Sequence, residues 1–553
     1  MAYFSLHAYD ADVWVQNFLG LNQSSDGTNG DPRYAADILN METPGGVLQP
    51  HAGFEILSGN RPWGDGTRVE TIMRLHRRWY TGQGSKDWLI CAAGGKLYQR
   101  QFGENYPDWV EIPIPNDLLP GGATTFQSNV WSWVNYEKSV QGVDYPIDVL
   151  IISNAVDGMF IVYPPELPTR FMDLTSKTFT ELASMTFDEL YTGDWSIDEI
   201  DTRADPTSQT EVPKKFGVIE RYAERVWAGA VAGEPDMLVY SAPYDPTDWA
   251  QNEEIPEDGA GEILQPSWDG DSFTALKAFG NQLLAFKGTK VWRVMGVSPG
   301  EYTFNEQYGG GTMFPNTLAV DVERVFAAMN DGIATYDGMS VSPFIREQVQ
   351  QIWRTANRDA LDQMCGCLFK DRYYLAFPVG DSAVNNAVLV YNKVEGTITF
   401  FRDMNIESML PTPDTLYATS SSLPGKILVI RYNSWERGQT SGAATKWVSP
   451  WMDFGYKRIQ KGGFDFYFTP EVQSEAVTLK ISVQTERKTK TKNYTINPLT
   501  AADLAKDKKH RNKRLHFSGA GRRFRIIIET EEGNTHPWRL IGGIQMVVET
   551  DAD

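Results

Sequence analysis

Val149-Leu-Ile-Ile-Ser-Asn-Ala-Val-Asp-Gly-Met-Phe-Ile-Val-Tyr163 reads as two apolar strands around a turn. Asn, Asp and Gly accept the positive φ that a tight hairpin demands. The β-branched and aromatic flanks suit a pleated, half-buried surface. One hairpin is not stable alone in water, so this one needs neighbours, and the chain supplies them. Residues 88–100 repeat the pattern upstream. Residues 225–240, 282–294, 325–336, 365–377 and, more weakly, 416–430 repeat it downstream. The turns fall near Gly94, Gly158, Gly233, Gly288, Gly332, Asp371 and Gly425, separated by 39 to 75 residues. A solenoid needs a stricter period. A β-propeller tolerates irregular loops, because each blade only has to pack against its neighbours.

The expected fold is therefore all-β: an irregular β-propeller of six or seven blades over residues 71–440. It carries a helical-turn insertion at 175–212. Residues 1–70 form an N-terminal segment that closes or docks onto the propeller. Residues 441–553 form a C-terminal antiparallel β-domain, sandwich-like, in which Val477-Thr-Leu-Lys-Ile-Ser-Val483 alternates apolar and polar residues. The same hairpins could alternatively build two sandwich domains.

Composition narrows the function classes. The 553 residues are 41% hydrophobic and 12% aromatic, enough for a large core and more than one domain. No apolar run is long enough to span a membrane. The opening Met1-Ala-Tyr-Phe-Ser-Leu-His-Ala-Tyr-Asp10 has no basic stretch before an apolar one, so no signal peptide is expected. Three cysteines make no disulfide framework. Cys365 and Cys367 share a strand face and are expected to be packed thiols in a protein folded in a reducing cytoplasm. A net charge of −20 argues against ordinary nucleic-acid binding. Yet residues 486–525 hold 13 Lys or Arg against 3 Asp or Glu, a local +10 that leaves −30 elsewhere. An acidic body with a basic patch implies an acidic partner or a neighbouring copy. Lys506, Lys508, Lys509, Arg511, Lys513 and Arg514 are the candidate contacts.

Residues 178–201 carry a tandem pattern. Thr178-Phe-Thr-Glu-Leu182 recurs as Thr186-Phe-Asp-Glu-Leu190, and Asp194-Trp-Ser-Ile197 follows at the same spacing. Thr178 with Glu181 and Thr186 with Glu189 have capping-box spacing. Phe179, Leu182, Phe187, Leu190 and Trp195 are expected on one exposed apolar stripe, which marks a protein interface.

The N-terminal stretch orders Gly20-Leu-Asn22, Ile38-Leu-Asn-Met41, Gly45-Gly46 and Gly53-Phe54. This resembles the opening of tail hub or nozzle proteins of tailed bacteriophages, especially short-tailed ones, in which such a segment precedes a β-propeller. The tandem Thr-aromatic repeats are similar to insertions in phage tail proteins. Trp447-Val-Ser-Pro-Trp-Met-Asp-Phe-Gly455 before a sandwich is similar to their C-terminal region. The resemblance implies a structural virion protein, assembled in the host cytoplasm as a homo-oligomeric ring, six copies being expected. Such a ring extends the DNA conduit for ejection, passes DNA without specific binding, and docks portal or adaptor and fibre or spike proteins. The alternative is a tail-associated glycan-binding or glycan-cleaving propeller.

No catalytic residue, cofactor site or metal site is expected. The six histidines form no His-Glu-x-x-His pair, and no phosphate loop or Cys-x-x-Cys occurs. Residues 309–312, Gly-Gly-Gly-Thr, lack the lysine of a phosphate loop and read as a flexible link between blades. Residues 26–31 and 269–271 lack the full spacing of a calcium loop.

Overall fold

The structure is a computed structural model. It describes residues 6–7, 10–24, 30–78, 85–102, 108–138, 146–164, 195–265, 271–308, 310–453, 461–499 and 513–550. Seven antiparallel sheets of four strands occupy the middle of the chain. Six are consecutive meanders, at residues 69–112, 132–199, 216–264, 275–308, 319–344 and 365–401. The seventh takes three strands from residues 406–430 and one from the N-terminal segment.

The first strands of successive sheets meet in a ring. Val69–Arg78 touches Ser132–Lys138, which touches Phe216–Tyr222, which touches Ala275–Phe279. Phe286 and Val291 of the fourth sheet share a core cluster with Val325 and Tyr336 of the fifth. Ala319–Val320 touches Cys365–Phe369, then Ile406–Pro411, which returns to Val69–Arg78. The chain is a seven-bladed β-propeller with a β-sandwich.

Blades explain the composition of the marked hairpins. A middle strand has a blade on each face, so it loses the polar alternation of a one-sided sheet. Ile147–Asn154 is buried at every position. Gly158 turns at φ +125° into Gly158–Tyr163. In blades one to five and seven the hairpins marked in the sequence are these middle pairs. Blade six differs. Its marked hairpin, Cys365–Phe369 with Arg372–Phe377, is the inner pair, and the middle pair continues to Ala387–Asn392 after a longer link. A tight turn signals a hairpin but says nothing of its radial position.

The ring closes through Phe54–Ile56, the outer strand of blade seven, with Phe54 opposite Ile430 and Ile56 opposite Leu428. Leu57 N–H donates to the Ile427 carbonyl at 2.8 Å. The Trp63 indole N–H then donates to the Gly425 carbonyl at 3.0 Å, and its ring joins a cluster with Val69 of blade one and Tyr417 of blade seven.

Two five-stranded sheets form the sandwich. One orders Leu6–His7, Asp10–Val15, Trp538–Thr550, Lys461–Val472 and Lys513–Phe517. The other orders Asp37–Leu39, Thr445–Val448, Phe524–Thr530, Val477–Thr485 and Thr489–Ile496. The N-terminal seventy residues thus supply strands to both bodies. Between them lies a seam. Leu21 N–H donates to the Ile398 carbonyl at 2.7 Å, on the outer strand of blade six. Asn40, at φ +53°, accepts from Arg402 N–H at 2.8 Å and donates to the Ala444 carbonyl at 2.9 Å. Phe18 meets the fully buried Trp447 edge-on at 5.3 Å. Phe18, Leu21, Ile398 and Trp447 of the seam belong to one core cluster that runs from blades five and six into the sandwich.

Two local expectations are corrected. Ser196–Glu199 is not part of a protruding insertion: it is the outer strand of blade two, paired with Gly158–Tyr163. The link at 310–312 is closely packed rather than loose. A Cβ on Gly311 would stand 2.1 Å from the Lys287 carbonyl oxygen, and buried Thr312 donates to the Ala328 carbonyl at 2.7 Å. Gly311 serves close approach of two backbones.

Candidate functional site

The inner strands of blades one to four carry alternating charges around the central channel. Arg74 forms two bonds to Asp87, each 3.0 Å, and His76 Nδ1 stands 2.7 Å from the same carboxylate. Arg78 reaches Asp148 at 3.0 Å and also pairs with Glu137. Arg221 lies 4.0 Å from Glu137, 2.8 Å from Glu224 and 4.8 Å from the Tyr136 ring centre. Lys277 pairs with Glu220 at 2.9 Å. The Tyr136 hydroxyl donates to the Glu224 carbonyl at 2.5 Å, and burial pushes its pKa up to about 12.

This arrangement follows from the sheet. The inner strand lacks a further strand on its channel side, so its polar residues find partners on the next blade. Ser132 Oγ accepts from Ile219 N–H at 2.9 Å, and Asn135 donates to the Arg74 carbonyl at 3.0 Å. A cavity of about 470 Å³ opens here, lined by Trp131, Trp133, Asn135, Glu220 and Lys277 among others. Glu220, a carboxylate of that lining, sits against the Lys277 ammonium. Among the described residues no group of three or more His, Cys, Asp or Glu is placed to hold a metal.

The structure distributes the sequence-predicted residues unevenly. Trp195 is 7% exposed and meets Trp88 edge-on at 5.7 Å, inside the core between blades one and two. It therefore cannot belong to an exposed stripe; its aromatic spacing mimics the tandem repeat while its strand serves the blade. Phe179, Leu182, Phe187 and Leu190 lie outside the described residues, as do Lys506, Lys508, Lys509 and Arg511. Lys513 and Arg514 are exposed on the edge strand Lys513–Phe517. Arg514 forms a 2.6 Å ion pair with Asp465, which holds that carboxyl below its usual range. Cys365 and Cys367 are buried free thiols, and burial pushes both pKa values up.

One pair was not legible in the sequence. His51 Nε2 stands 2.7 Å from Asp403, its ring stacks on Phe401 at 4.2 Å, and its Nδ1 accepts from Gly53 N–H at 3.1 Å. That acceptance fixes the tautomer, with Nε2–H donating to Asp403. Burial would raise the Asp403 pKa, but the His51 contact lowers it below the usual value. Residues 352 positions apart offer no sequence signal for such a pair.

No protein-family model matches the chain, and no curated protein matches it. Solved structures do. BBS1N, in its complex with ARL6DN, is 10% identical with a TM-score of 0.38, covering 69% of this chain and 98% of that one. The Neurospora crassa Pan2 WD40 domain is 10% identical with a TM-score of 0.34, covering 69% of this chain and 97% of that one. At that distance the likeness carries no functional information, and the propeller stands on the seven sheets and their closure.

Proposed function

We propose that this chain is a structural protein of a phage tail, a hub or nozzle subunit that assembles as a ring, six copies by the resemblance. Its work is mechanical: it extends the DNA conduit, contacts portal or adaptor proteins, and docks fibres or spikes. One observation carries the reading. The segments that resemble hub proteins, Gly20-Leu-Asn22, Ile38-Leu-Asn-Met41 and Trp447 onward, are the seam that joins propeller to sandwich. A joint of this kind transmits load between two bodies instead of leaving them on a free linker. The paired charges of the channel favour a non-catalytic role, and an acidic surface suits passage of DNA without retention.

Sedimentation and electron microscopy of the purified chain, alone and with its neighbouring tail proteins, test the proposal. A closed ring with an axial opening is expected. A chain that stays monomeric in both preparations overturns it.

A second reading rests on the channel cavity. Trp131 and Trp133 beside Asn135, Glu220 and Lys277 offer an aromatic wall with polar groups, the chemistry of a sugar site. Binding or release of host surface glycans, lost on Trp133→Ala, would place that reading first.

A further inference from the structure

The turns of a four-stranded meander fall on two faces. The first and third turns lie on one; the second turn and the link to the next blade lie on the other. On blades three to six the first face carries Tyr244, Ile255, Val297, Val322, Met339 and Val394, all exposed, from 49% at Ile255 to 93% at Val322. The described turns and outgoing links of the same blades on the second face carry one exposed large apolar residue, Met313. Turn centres ordinarily take Gly, Asn, Asp or Ser. Val322, Met339 and Val394 sit inside turns closed at 321–324, 337–340 and 392–396, where no core rewards an aliphatic side chain. Neighbouring turns also adjoin. A Cβ on Gly300 would stand 4.0 Å from Glu257 Oε1, Arg293 donates to the Gly338 carbonyl at 3.2 Å, and Lys393 pairs with Asp321 at 2.9 Å. Single exposed apolar residues are ordinary, but a band of them across four adjacent blades marks an interface.

Charge selects what covers the band. Its turns hold 13 Asp or Glu against 3 Lys or Arg, while the described turns and links of the second face hold 9 against 5. Glu253, Glu254, Glu257, Asp258 and Glu301 are exposed and in no ion pair among the described residues. The first four lie in residues 241–260, which the fully buried Arg225 holds by donating to the Ser241, Glu257 and Gly259 carbonyls. That loop is ordered before any partner arrives, which lowers the cost of binding. A bilayer also accepts apolar residues at turn tips, but this excess of carboxylates repels anionic lipid. The chain itself supplies the opposite charge, the +10 of residues 486–525. Lysines on the edge strand Thr489–Ile496 guard that edge and need no partner. Lys506, Lys508, Lys509 and Arg511 lie beyond that strand in the sequence, so edge protection does not account for them.

We propose that this face of blades three to six docks residues 500–512 of a second copy, with the carboxylates of 253–258 against those four cations and the apolar band against Leu504. The contact rests on the ring reading and deepens it. Two different surfaces on each copy make a heterologous pair, the kind that closes into a ring. Opposite charge also fixes the direction of docking, because two acidic faces repel each other.

Sedimentation velocity of the full chain over a range of concentrations tests this. Four variants are compared with the native chain. V297S/V322S/M339S/V394S strips the band, E253K/E254K/E257K reverses the face, K506E/K508E/K509E/R511E reverses the segment, and the last combines both reversals. Each of the first three should weaken self-association about tenfold or more, and the combined swap should restore it to within about threefold of native. The serine positions are exposed, so the thermal midpoint should stay near the native one; if it falls, the charge swap still decides. Self-association indifferent to a folded serine variant, or not restored by the swap, overturns the proposal. A ring that still forms in the serine and face variants leaves the ring reading standing without this contact. A native chain that is monomeric alone overturns the contact too, and the ring reading is then decided by the preparation with neighbouring tail proteins. Binding to phosphatidylcholine vesicles that is lost in the serine variant would assign the band to a membrane and overturn the proposal.

Discussion

A Cβ on Gly20 would stand 2.5 Å from the carbonyl oxygen of Ile398, and Gly20 itself sits at φ +78°. The N-terminal segment therefore touches blade six backbone to backbone, at the point where Leu21 N–H meets the same carbonyl. Gly20→Ala has to open this contact and adopt a disfavoured backbone conformation. The expected cost is about 2 to 4 kcal/mol. Calorimetry should show one unfolding transition for the native chain and two, propeller and sandwich apart, for the variant.

Closure of the ring rests on a short strand. Leu57→Pro removes the N–H that donates to Ile427. A loss of about 1 to 3 kcal/mol is expected, with faster proteolysis between residues 57 and 68. Urea titration and limited digestion measure both.

The His51–Asp403 pair predicts an acid sensitivity. The folded-state pKa of Asp403 is lowered, so its stabilisation is present above the unfolded carboxyl pKa, about 3.9, and is lost as pH falls through the folded value. Asp403→Asn should cost about 2 to 4 kcal/mol at neutral pH, since His51 keeps a buried polar partner of weaker strength. Its stability should then fall less steeply than the native chain's between neutral and acid pH. A parallel loss in both proteins would assign the acid sensitivity elsewhere.

Trp195 and the four apolar residues before it should separate by phenotype. Trp195→Ala removes a core ring between blades one and two, at about 3 to 5 kcal/mol. Replacing Phe179, Leu182, Phe187 and Leu190 by serine should leave the thermal midpoint near that of the native chain while impairing assembly, as an interface requires. A large drop in midpoint for the serine variant would assign those residues to the core.

Charge reversal at Lys506, Lys508, Lys509 and Arg511 should weaken assembly and reduce its dependence on salt. Assembly indifferent to both the reversal and the salt concentration would remove this patch from the interface.

The hairpins were legible in the sequence because their information is local. A glycine at a turn and apolar residues on both sides report two paired strands, as at Gly158, whatever surrounds them. The buried thiols of Cys365 and Cys367 were legible for the same reason: their strand places both on one face. The all-β class and an antiparallel β-domain at the C-terminal end followed from those patterns alone. What local pattern could not carry is which hairpin is inner and which is middle, so residues 365–377 read like the others although they sit one strand closer to the axis. Nor could it show that Phe54–Ile56 completes a blade begun at residue 406, that Asp10–Val15 pairs with Trp538–Thr550, or that His51 meets Asp403. Those pairings join residues hundreds of positions apart, and their energy exists only once the distant segments have met. Trp195 shows the limit most directly. The sequence placed an aromatic residue at the right spacing for a surface stripe, and only the packing of blade one against blade two decided that it is buried.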